Sequence, residues 1–243
     1  MTGIGWDHSA AGWLAAIGDA GDPTRRYVLD APMLDALPAA GMALDIGCGE
    51  GRFCRMMTDR GLTAVGIDPT RALIDAARAR DPGGAYVRAG AEALPFADRS
   101  FDVAVFYLTL IDIADHRVAI AEAARVLRPG GWLLIANLHD YTTARPRDWV
   151  GEGAHWVMEN GTRKHLAMDD ILIERAVPTG WGDIRIQNYH RPLSAYMGAL
   201  LGAGLILRRF EDPPFTGPKG AMKDKFERMP WSFFMAWQKP EDA

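Results

Sequence analysis

The feature that most constrains the fold is a glycine-rich turn directly after a short apolar run. Residues 43–51 read AlaLeuAspIleGlyCysGlyGluGly, and the helical pattern ArgPheCysArgMetMet follows them. Gly47, Gly49 and Gly51 allow a tight turn and a close approach of the backbone to a ligand at the start of that helix. The segment therefore predicts a cradle for a small-molecule cofactor at the end of a strand.

Strand and helix patterns alternate through the first half of the chain. We predict strands at 42–46, 63–67, 85–88, 101–108 and 132–138, with helices at 51–60, 70–80 and 115–127. Such alternation is typical of a parallel sheet with helices on both faces. Residues 6–37 form a leading helical segment, in which AspProThr at 22–24 supplies an N-cap followed by proline.

The rhythm breaks after residue 138. A hairpin signal at 158–162 and alternating residues at 184–189 predict an inserted lid of short strands. A helix at 192–202 and strands at 205–210 and 231–237 then follow, with the Pro/Gly-rich stretch 212–220 between the strands. We expect one domain, 1–243, with four parts: a helical cap (1–41), a cofactor-binding core (42–138), an acceptor lid (139–190) and the completion of the sheet (191–243).

Composition narrows the class of partner. The 243 residues carry 27 basic and 31 acidic side chains, a net charge of −4, and no long basic run. This balance argues against binding to nucleic acid or to an anionic membrane, so a small-molecule partner is expected. No apolar segment approaches the roughly 20 residues of a membrane span, and the first residues lack an export signal, which predicts a cytoplasmic protein. Cys48 and Cys54 have no Cys/His cluster around them, so neither a disulfide framework nor a metal site is expected.

Two kinds of nucleotide compete for the glycine turn. A dinucleotide site uses G-x-G-x-x-G, whereas this chain has G-x-G-x-G with Arg52 in the place of the third glycine. Asp45 and Glu50 would repel a pyrophosphate, but they suit a phosphate-free cation such as S-adenosylmethionine. Asp68 ends the next strand, where a carboxylate accepts hydrogen bonds from both ribose hydroxyls. NAD sites also bind the ribose hydroxyls with a carboxylate at a strand end, so Asp68 alone does not distinguish a dinucleotide from S-adenosylmethionine.

Residues 42–137 resemble the class I S-adenosylmethionine-dependent methyltransferases. The motifs ALDIGCGEG, VGIDPT, AGAEALPFADRSFDVAVF and AEAARVLRPGGWLLIANL occur in the order of that family. The resemblance implies an α/β, Rossmann-like, doubly wound sheet of seven strands, mostly parallel, with an antiparallel last strand. The fold would therefore combine this sheet with the N-terminal helical segment and the β-rich lid.

The resemblance also implies a role for each matching position. Asp45 and the backbone of Gly47, Cys48 and Gly49 would bind the methionine end, and Asp68 with Pro69 the ribose. Ala91 and Glu92 would border the adenine, and Tyr107 would lie beside the methionine moiety or the transferable methyl group, where it is also a candidate catalytic residue. The family often has Asp where this chain has Gly90, which leaves the contact to the adenine amino group open.

The acceptor site has less specific signals. His190 is the first candidate for a general base, because its reference pKa is near neutral and the resemblance places it over the methyl-binding mouth. The alternative is a hydrogen-bonded histidine that fixes the lid. Tyr189 beside it is a further candidate for contact with the acceptor, although a structural role is the simpler interpretation. Asp112 is a candidate for orienting the acceptor. Aromatic or flat side chains in the cap and lid would stack on a flat acceptor or simply pack against each other: Trp6, Trp13, Trp149, His155 and Trp156.

The sequence therefore predicts transfer of a methyl group from S-adenosylmethionine to a small organic acceptor, a specialised metabolite, at oxygen, nitrogen or carbon. S-Adenosylhomocysteine would be the product, and the protein would be a monomer or homodimer. Two alternatives remain open. A nicotinamide-dependent oxidoreductase would share the fold, and a non-catalytic homologue would bind the cofactor alone.

Overall fold

A computed structural model describes residues 4–18, 20–144 and 156–242 of the chain. Its strands are β1 Gly41–Ile46, β2 Leu62–Asp68, β3 Ala85–Arg88, β4 Phe101–Tyr107, β5 Leu127–Leu138, β6 Trp156–Glu159, β7 Thr162–Leu166, β8 Arg175–Trp181, β9 Ile184–His190, β10 Ile206–Glu211 and β11 Ser232–Gln238. Its helices are α1 Trp6–Ile17, α2 Asp30–Asp35, α3 Arg52–Asp59, α4 Arg71–Arg80, α5 His116–Val126, α6 Asp140–Thr143, α7 Leu193–Gly202 and α8 Ala221–Arg228. A π-helical turn, Arg25–Leu29, leads directly into α2.

The central sheet of the described residues has seven strands in the order β10-β11-β5-β4-β1-β2-β3. Strand β1 pairs in parallel with both β2 and β4, and β4 pairs in parallel with β5. Only β11 runs against its neighbours, since it is antiparallel to both β5 and β10. The predicted Rossmann-like sheet with an antiparallel last strand is thereby confirmed. The carboxyl ends of β1, β2, β4 and β5 consequently meet at one edge of the sheet.

Strand β4 shows why the sheet is buried on both faces. Its residues alternate between two apolar layers, as the period of two in a strand requires. Ala104 and Phe106 belong to the layer with α5 and α7, whereas Val103 and Val105 belong to the layer with α3. A central strand that is buried on both faces has a continuous run of apolar residues, and this run is what predicted β4 from the sequence.

Three local features refine the expected elements. The helical cap is interrupted at residue 18, and Asp22 Oδ1 accepts the backbone N–H of Thr24 at 2.8 Å and of Arg25 at 3.1 Å, as the predicted N-cap requires. Strand β5 begins five residues earlier than expected, because Leu127 pairs with Phe101 ahead of an irregularity in the register. Helix α8 was not predicted, since it has only eight residues and most of them are charged.

The insertion between β5 and α7 contains two antiparallel hairpins, β6–β7 and β8–β9, so the β-rich lid is confirmed. The second hairpin is fastened to α1: Ser9 Oγ donates to the carbonyl of Arg185 and accepts its backbone N–H, both at 2.9 Å. Cap and lid therefore meet above the carboxyl edge of the sheet. The predicted contacts Trp149 and His155 lie outside the described residues. None of the described helices has the length and apolarity needed to cross a membrane.

Candidate cofactor and acceptor cavity

A cavity of about 470 Å³ opens at the carboxyl edge of the sheet, beneath α1 and the β8–β9 hairpin. Small-molecule sites in α/β proteins form at this edge and have volumes of this order. The cavity brings together ten of the residues singled out in the sequence: Asp45, Gly47, Cys48, Gly49, Asp68, Pro69, Tyr107, Trp6, Trp13 and Asp112. The predicted cofactor strands and part of the predicted acceptor region thus share one space.

The glycine turn closes this cavity from below. Gly47 and Gly49 have φ angles of 79° and 55°, in the left-handed region that favours glycine. A Cβ on Gly47 would stand 2.6 Å from Thr109 Cγ2, whereas one on Gly49 would have nothing within 4 Å. Thr109 is held there because its hydroxyl donates to the carbonyl of Ile46 at 2.9 Å. The turn therefore packs tightly on one side and leaves open space on the other.

Asp45 is the most unusual group in the cavity. Its side chain is 2% exposed, and Oδ2 accepts a weak hydrogen bond from Cys54 Sγ at 3.6 Å. Oδ1 has no hydrogen-bond partner among the described residues. Burial raises the pKa of Asp45 to about 7, and the neighbouring Asp68 and Glu50 act in the same direction. A buried carboxyl group of this kind is completed by a cationic donor.

Asp68 lies at the end of β2, beside the turn. Its Oδ2 accepts the backbone N–H of Gly49 at 3.0 Å, and its Oδ1 accepts that of Thr70 at 2.8 Å. Burial raises its pKa, although these backbone hydrogen bonds oppose the shift. Each carboxylate oxygen can accept a further hydrogen bond, so the fixed side chain suits a pair of hydroxyl groups.

Tyr107 faces the cavity, but its hydroxyl is already used. The hydroxyl donates to Asp30 Oδ1 at 2.7 Å, and Arg52 donates to the two oxygens of Asp30 at 2.9 and 2.5 Å. Burial, followed by the charge of Asp30, raises the pKa of Tyr107 well above its usual value. Tyr107 is therefore a neutral donor to Asp30, and a proton-transfer role for it is not supported. Arg52 thus binds Asp30, a contact that its position in the glycine-rich motif did not predict.

Ion pairs of Glu50 and Arg25 change the interpretation of the acidic turn. Glu50 is paired with Arg55 at 2.7 Å and with Arg80 at 2.8 Å, so its charge is largely neutralised. The preference for a cation consequently rests on Asp45 and Asp68. Arg25 also lines the cavity, where it pairs with Asp22 and lies 5.1 Å from the ring centre of Trp13.

The structure does not place His190 in the lining of the cavity. The side chain is completely buried, with Nε2 2.9 Å from the carbonyl of Ile171 and Nδ1 2.8 Å from Thr143 Oγ1. Burial also lowers its pKa, which keeps the ring neutral. The expected general base is thus corrected: His190 fixes β9 to the loop at Ile171 and to α6.

Four other expected contacts also lie outside the cavity lining. Trp156 is covered by the guanidinium group of Arg228 at 4.8 Å, and Tyr189 lies beneath Arg191 at 4.9 Å. Ala91 is buried in the core, and Glu92 stands next to Gly90, where a Cβ would be 3.4 Å from Glu92 Oε2. The Glu92 carboxylate therefore lies close to where the family's usual Asp side chain would extend, and its contact with adenine stays a prediction.

Several lining residues had not been anticipated. The hairpin β8–β9 contributes Val177, Thr179, Trp181, Ile186 and Asn188, and the far end is lined by Thr142, Thr143, Lys225 and Trp231. Trp13 contacts Trp6 and Trp181 edge to face, at 5.5 and 6.3 Å between ring centres. The alternation of β9 places Asn188 on the buried face with Ile186, a signal present in the sequence. Lys225 and Trp231 come from a segment with no motif.

Comparison with known proteins agrees with this geometry. A family model described as a methyltransferase domain matches residues 44–135. Over these residues the chain is similar to the methyltransferase family. An S-adenosylmethionine-dependent methyltransferase from Mesorhizobium loti shares the fold, with a TM-score of 0.74 and 24% identity over 91% of this chain and all of its own.

Curated relatives match less than half of this chain. A demethylmenaquinone methyltransferase from Renibacterium salmoninarum is 35% identical over 46% of this chain and 46% of its own length. A malonyl-[acyl-carrier protein] O-methyltransferase from Serratia marcescens is 36% identical over 39% of this chain and 37% of its own. The chain thus spans less than half the length of these relatives, whose names give two different acceptors.

The residues of the cavity fit S-adenosylmethionine. The unpartnered buried oxygen of Asp45 suits the α-ammonium group, and the fixed carboxylate of Asp68 suits the ribose diol. The open side of Gly49 leaves room for a ligand against the backbone. Among the described residues there is no group of three or more His, Cys, Asp or Glu side chains that could hold a metal ion.

Proposed function

We propose that this chain transfers a methyl group from S-adenosylmethionine to a small organic acceptor bound in the same cavity. The observation that carries the proposal is Asp45, a buried carboxyl group with an unpartnered oxygen, beside the glycine turn and Asp68. A pyrophosphate would meet two buried carboxyl groups here, whereas an amino-acid ammonium group would complete one of them. This contrast favours S-adenosylmethionine over a nicotinamide dinucleotide.

When bound, S-adenosylmethionine supplies an electrophilic methyl group on a sulfonium centre. The protein's task is then to hold the acceptor nucleophile in line with that group and to keep water out. Asp45 and Asp68 would fix the two ends of the cofactor. The aromatic side chains of Trp6, Trp13 and Trp181 would enclose the acceptor, since they line the cavity from the cap and the hairpin.

The cavity wall also supports a bulky organic acceptor, such as a specialised metabolite. Apolar side chains of the cap, the loop after β4 and the hairpin surround the space beyond the cofactor residues. We propose oxygen, nitrogen or carbon as the methylated atom, with a small molecule as partner, neither nucleic acid nor membrane as partner, a cytoplasmic location, and a monomer or homodimer as the working form.

Thermal shift assays with S-adenosylmethionine, S-adenosylhomocysteine and NADH test the cofactor. A ligand at 100 times its dissociation constant adds about 2.7 kcal/mol of apparent stability. We expect stabilisation by the two adenosyl compounds and none by NADH. Stabilisation by NADH alone would refute the proposal and favour the oxidoreductase. A screen of organic acceptors for a methyl mass gain separates a methyltransferase from a non-catalytic homologue.

A further inference from the structure

Asp112 lines the same cavity as the proposed cofactor residues and lies in the loop after β4. The loop is held rigidly: the Asp112 N–H donates to the carbonyl of Thr109 at 2.8 Å, and the Tyr189 N–H donates to that of Ile111 at 2.6 Å. Arg191 adds hydrogen bonds from its guanidinium group to the carbonyls of Leu110, Ile113 and Ala114. These hydrogen bonds fix the backbone of the loop on both sides of Asp112.

The carboxylate of Asp112 is oriented by Asn188. Asn188 Nδ2 donates to Asp112 Oδ1 at 2.6 Å, and Asn188 itself is buried on β9. The indole of Trp6 is a second donor beside the carboxylate. Asp112 nevertheless stays partly accessible, and it lines the cavity. Because an ionised carboxylate can accept about four hydrogen bonds, it has capacity for a further donor from inside the cavity.

The charges around Asp112 favour proton exchange near neutral pH. Burial raises its pKa to about 7, Asp68 acts in the same direction, and Asn188, Arg25 and Trp6 oppose the shift. The guanidinium group of Arg191 is bound to carbonyls of the same loop. A carboxyl group balanced in this way is ionised in part at neutral pH and is basic enough to accept a proton.

The walls around this carboxylate are apolar. Ile111 and Ile113 flank it in sequence, and Val177 and Ile186 face the cavity from the hairpin. The paired indoles of Trp6 and Trp13 extend this surface. Such walls suit a flat, largely apolar body, and Asp112 presents the carboxylate next to which a polar atom of that body would be placed.

We propose that Asp112, oriented by Asn188, takes the proton of the acceptor's nucleophile, and that the acceptor is a flat, largely apolar compound with a phenol-type hydroxyl group. The inference rests on the proposed methyl transfer. As the bond between the hydroxyl oxygen and the methyl carbon forms, the bond from that carbon to sulfur breaks and its electron pair stays on sulfur. The hydroxyl proton passes to Asp112, which returns it to water when the cavity opens. Asp112 thereby takes the role that the sequence assigned to His190.

Binding of 2-naphthol and of naphthalene to the complex with S-adenosylhomocysteine tests this inference without turnover. Calorimetry would compare the wild type, Asp112→Asn and Asn188→Ala, with Asp75→Asn, an exposed carboxylate on α4, as matched control. A phenol with a pKa near that of tyrosine, about 10, stays almost entirely neutral between pH 5 and 8, so any pH dependence in this range belongs to the protein.

We expect 2-naphthol to bind the wild-type complex more tightly as the pH rises through about 7, where Asp112 ionises. Asp112→Asn should weaken this binding by about tenfold or more at pH 8 and remove the pH dependence, since a hydrogen bond to a charged group is lost. Asn188→Ala should move the midpoint to higher pH, because the donor that lowers the pKa is removed. Naphthalene, which has no hydroxyl group, and Asp75→Asn should show none of these changes.

The opposing outcomes are distinct. Failure of the wild-type complex to bind 2-naphthol overturns the inference, as does an equal loss of naphthalene binding or an unchanged affinity in Asp112→Asn. Weaker binding of S-adenosylmethionine but not of S-adenosylhomocysteine by Asp112→Asn would show that Asp112 faces the sulfonium instead. Failure of the wild type to bind either adenosyl compound would refute the proposed function itself.

Discussion

Asp45 makes cofactor binding depend on pH in a way that can be calculated. Its pKa of about 7 applies to the ligand-free cavity, and only the ionised form can pair with the α-ammonium group of the ligand. About one tenth of Asp45 is ionised at pH 6 and about nine tenths at pH 8, so the affinity for S-adenosylhomocysteine should rise about tenfold over this interval. Ligand binding should then release about 0.9 proton at pH 6 and about 0.1 at pH 8.

Isothermal titration calorimetry in buffers of different ionisation enthalpy measures both quantities. Asp45→Asn keeps the shape of the side chain but cannot ionise, so its affinity should be low and independent of pH. 5′-Methylthioadenosine is the matched ligand, because it lacks the amino-acid end and should not sense Asp45. Asp112→Asn is the matched variant, since the pKa of Asp112 is also about 7, and it should keep the dependence. The same slope for Asp45→Asn, or for 5′-methylthioadenosine, would refute the reasoning.

Three further results are expected. Burial raises the pKa of Asp45 above that of the unfolded chain, so its stabilising contribution is lost as the pH rises from about 4 through 7; Asp45→Asn should therefore raise the ligand-free Tm at pH 8 by about 3 °C or more, and by roughly half as much or less at pH 5, as calorimetric scans at the two pH values would show. His190→Gln should unfold at lower urea concentration, because two buried hydrogen bonds are disturbed, while S-adenosylhomocysteine binding changes by less than about threefold; a complete loss of binding by the folded variant would contradict the placement of His190. Gly47→Ala should cost about 2 kcal/mol or more in urea unfolding and Gly49→Ala about 1, since only the former meets Thr109 as well as the left-handed backbone, and equal costs would argue against the described turn.

Local sequence signals were sufficient for the sheet. The continuous apolar run of β4 and the turn at Gly47 are set by short-range physics, namely burial on two faces and a positive φ angle. Helix α8 escaped prediction because its eight residues are shorter than the window over which a helical period can be recognised.

The acceptor region was harder to predict, because its side chains come from distant segments. Asn188 lies 76 residues from Asp112, and neither residue alone signals a contact. His190 was the candidate base because of its reference pKa. In the folded chain its two ring nitrogens form hydrogen bonds with Thr143 and Ile171. The sequence near the end of the insertion could not show whether Asn188 or His190 lines the cavity.

The sequence by itself determined the local structure of the proposed cofactor site, because a strand, a glycine turn and a carboxylate at each of two strand ends are encoded within some 25 consecutive residues. Only the tertiary structure decided which carboxyl groups around the cavity are paired with arginine and which have a raised pKa. Glu50 is neutralised by Arg55 and Arg80, while burial leaves Asp45 and Asp112 with pKa values of about 7. The charge state of a carboxyl group depends on its burial and on its charged neighbours in the folded chain. Neither can be inferred from the residues next to it in sequence.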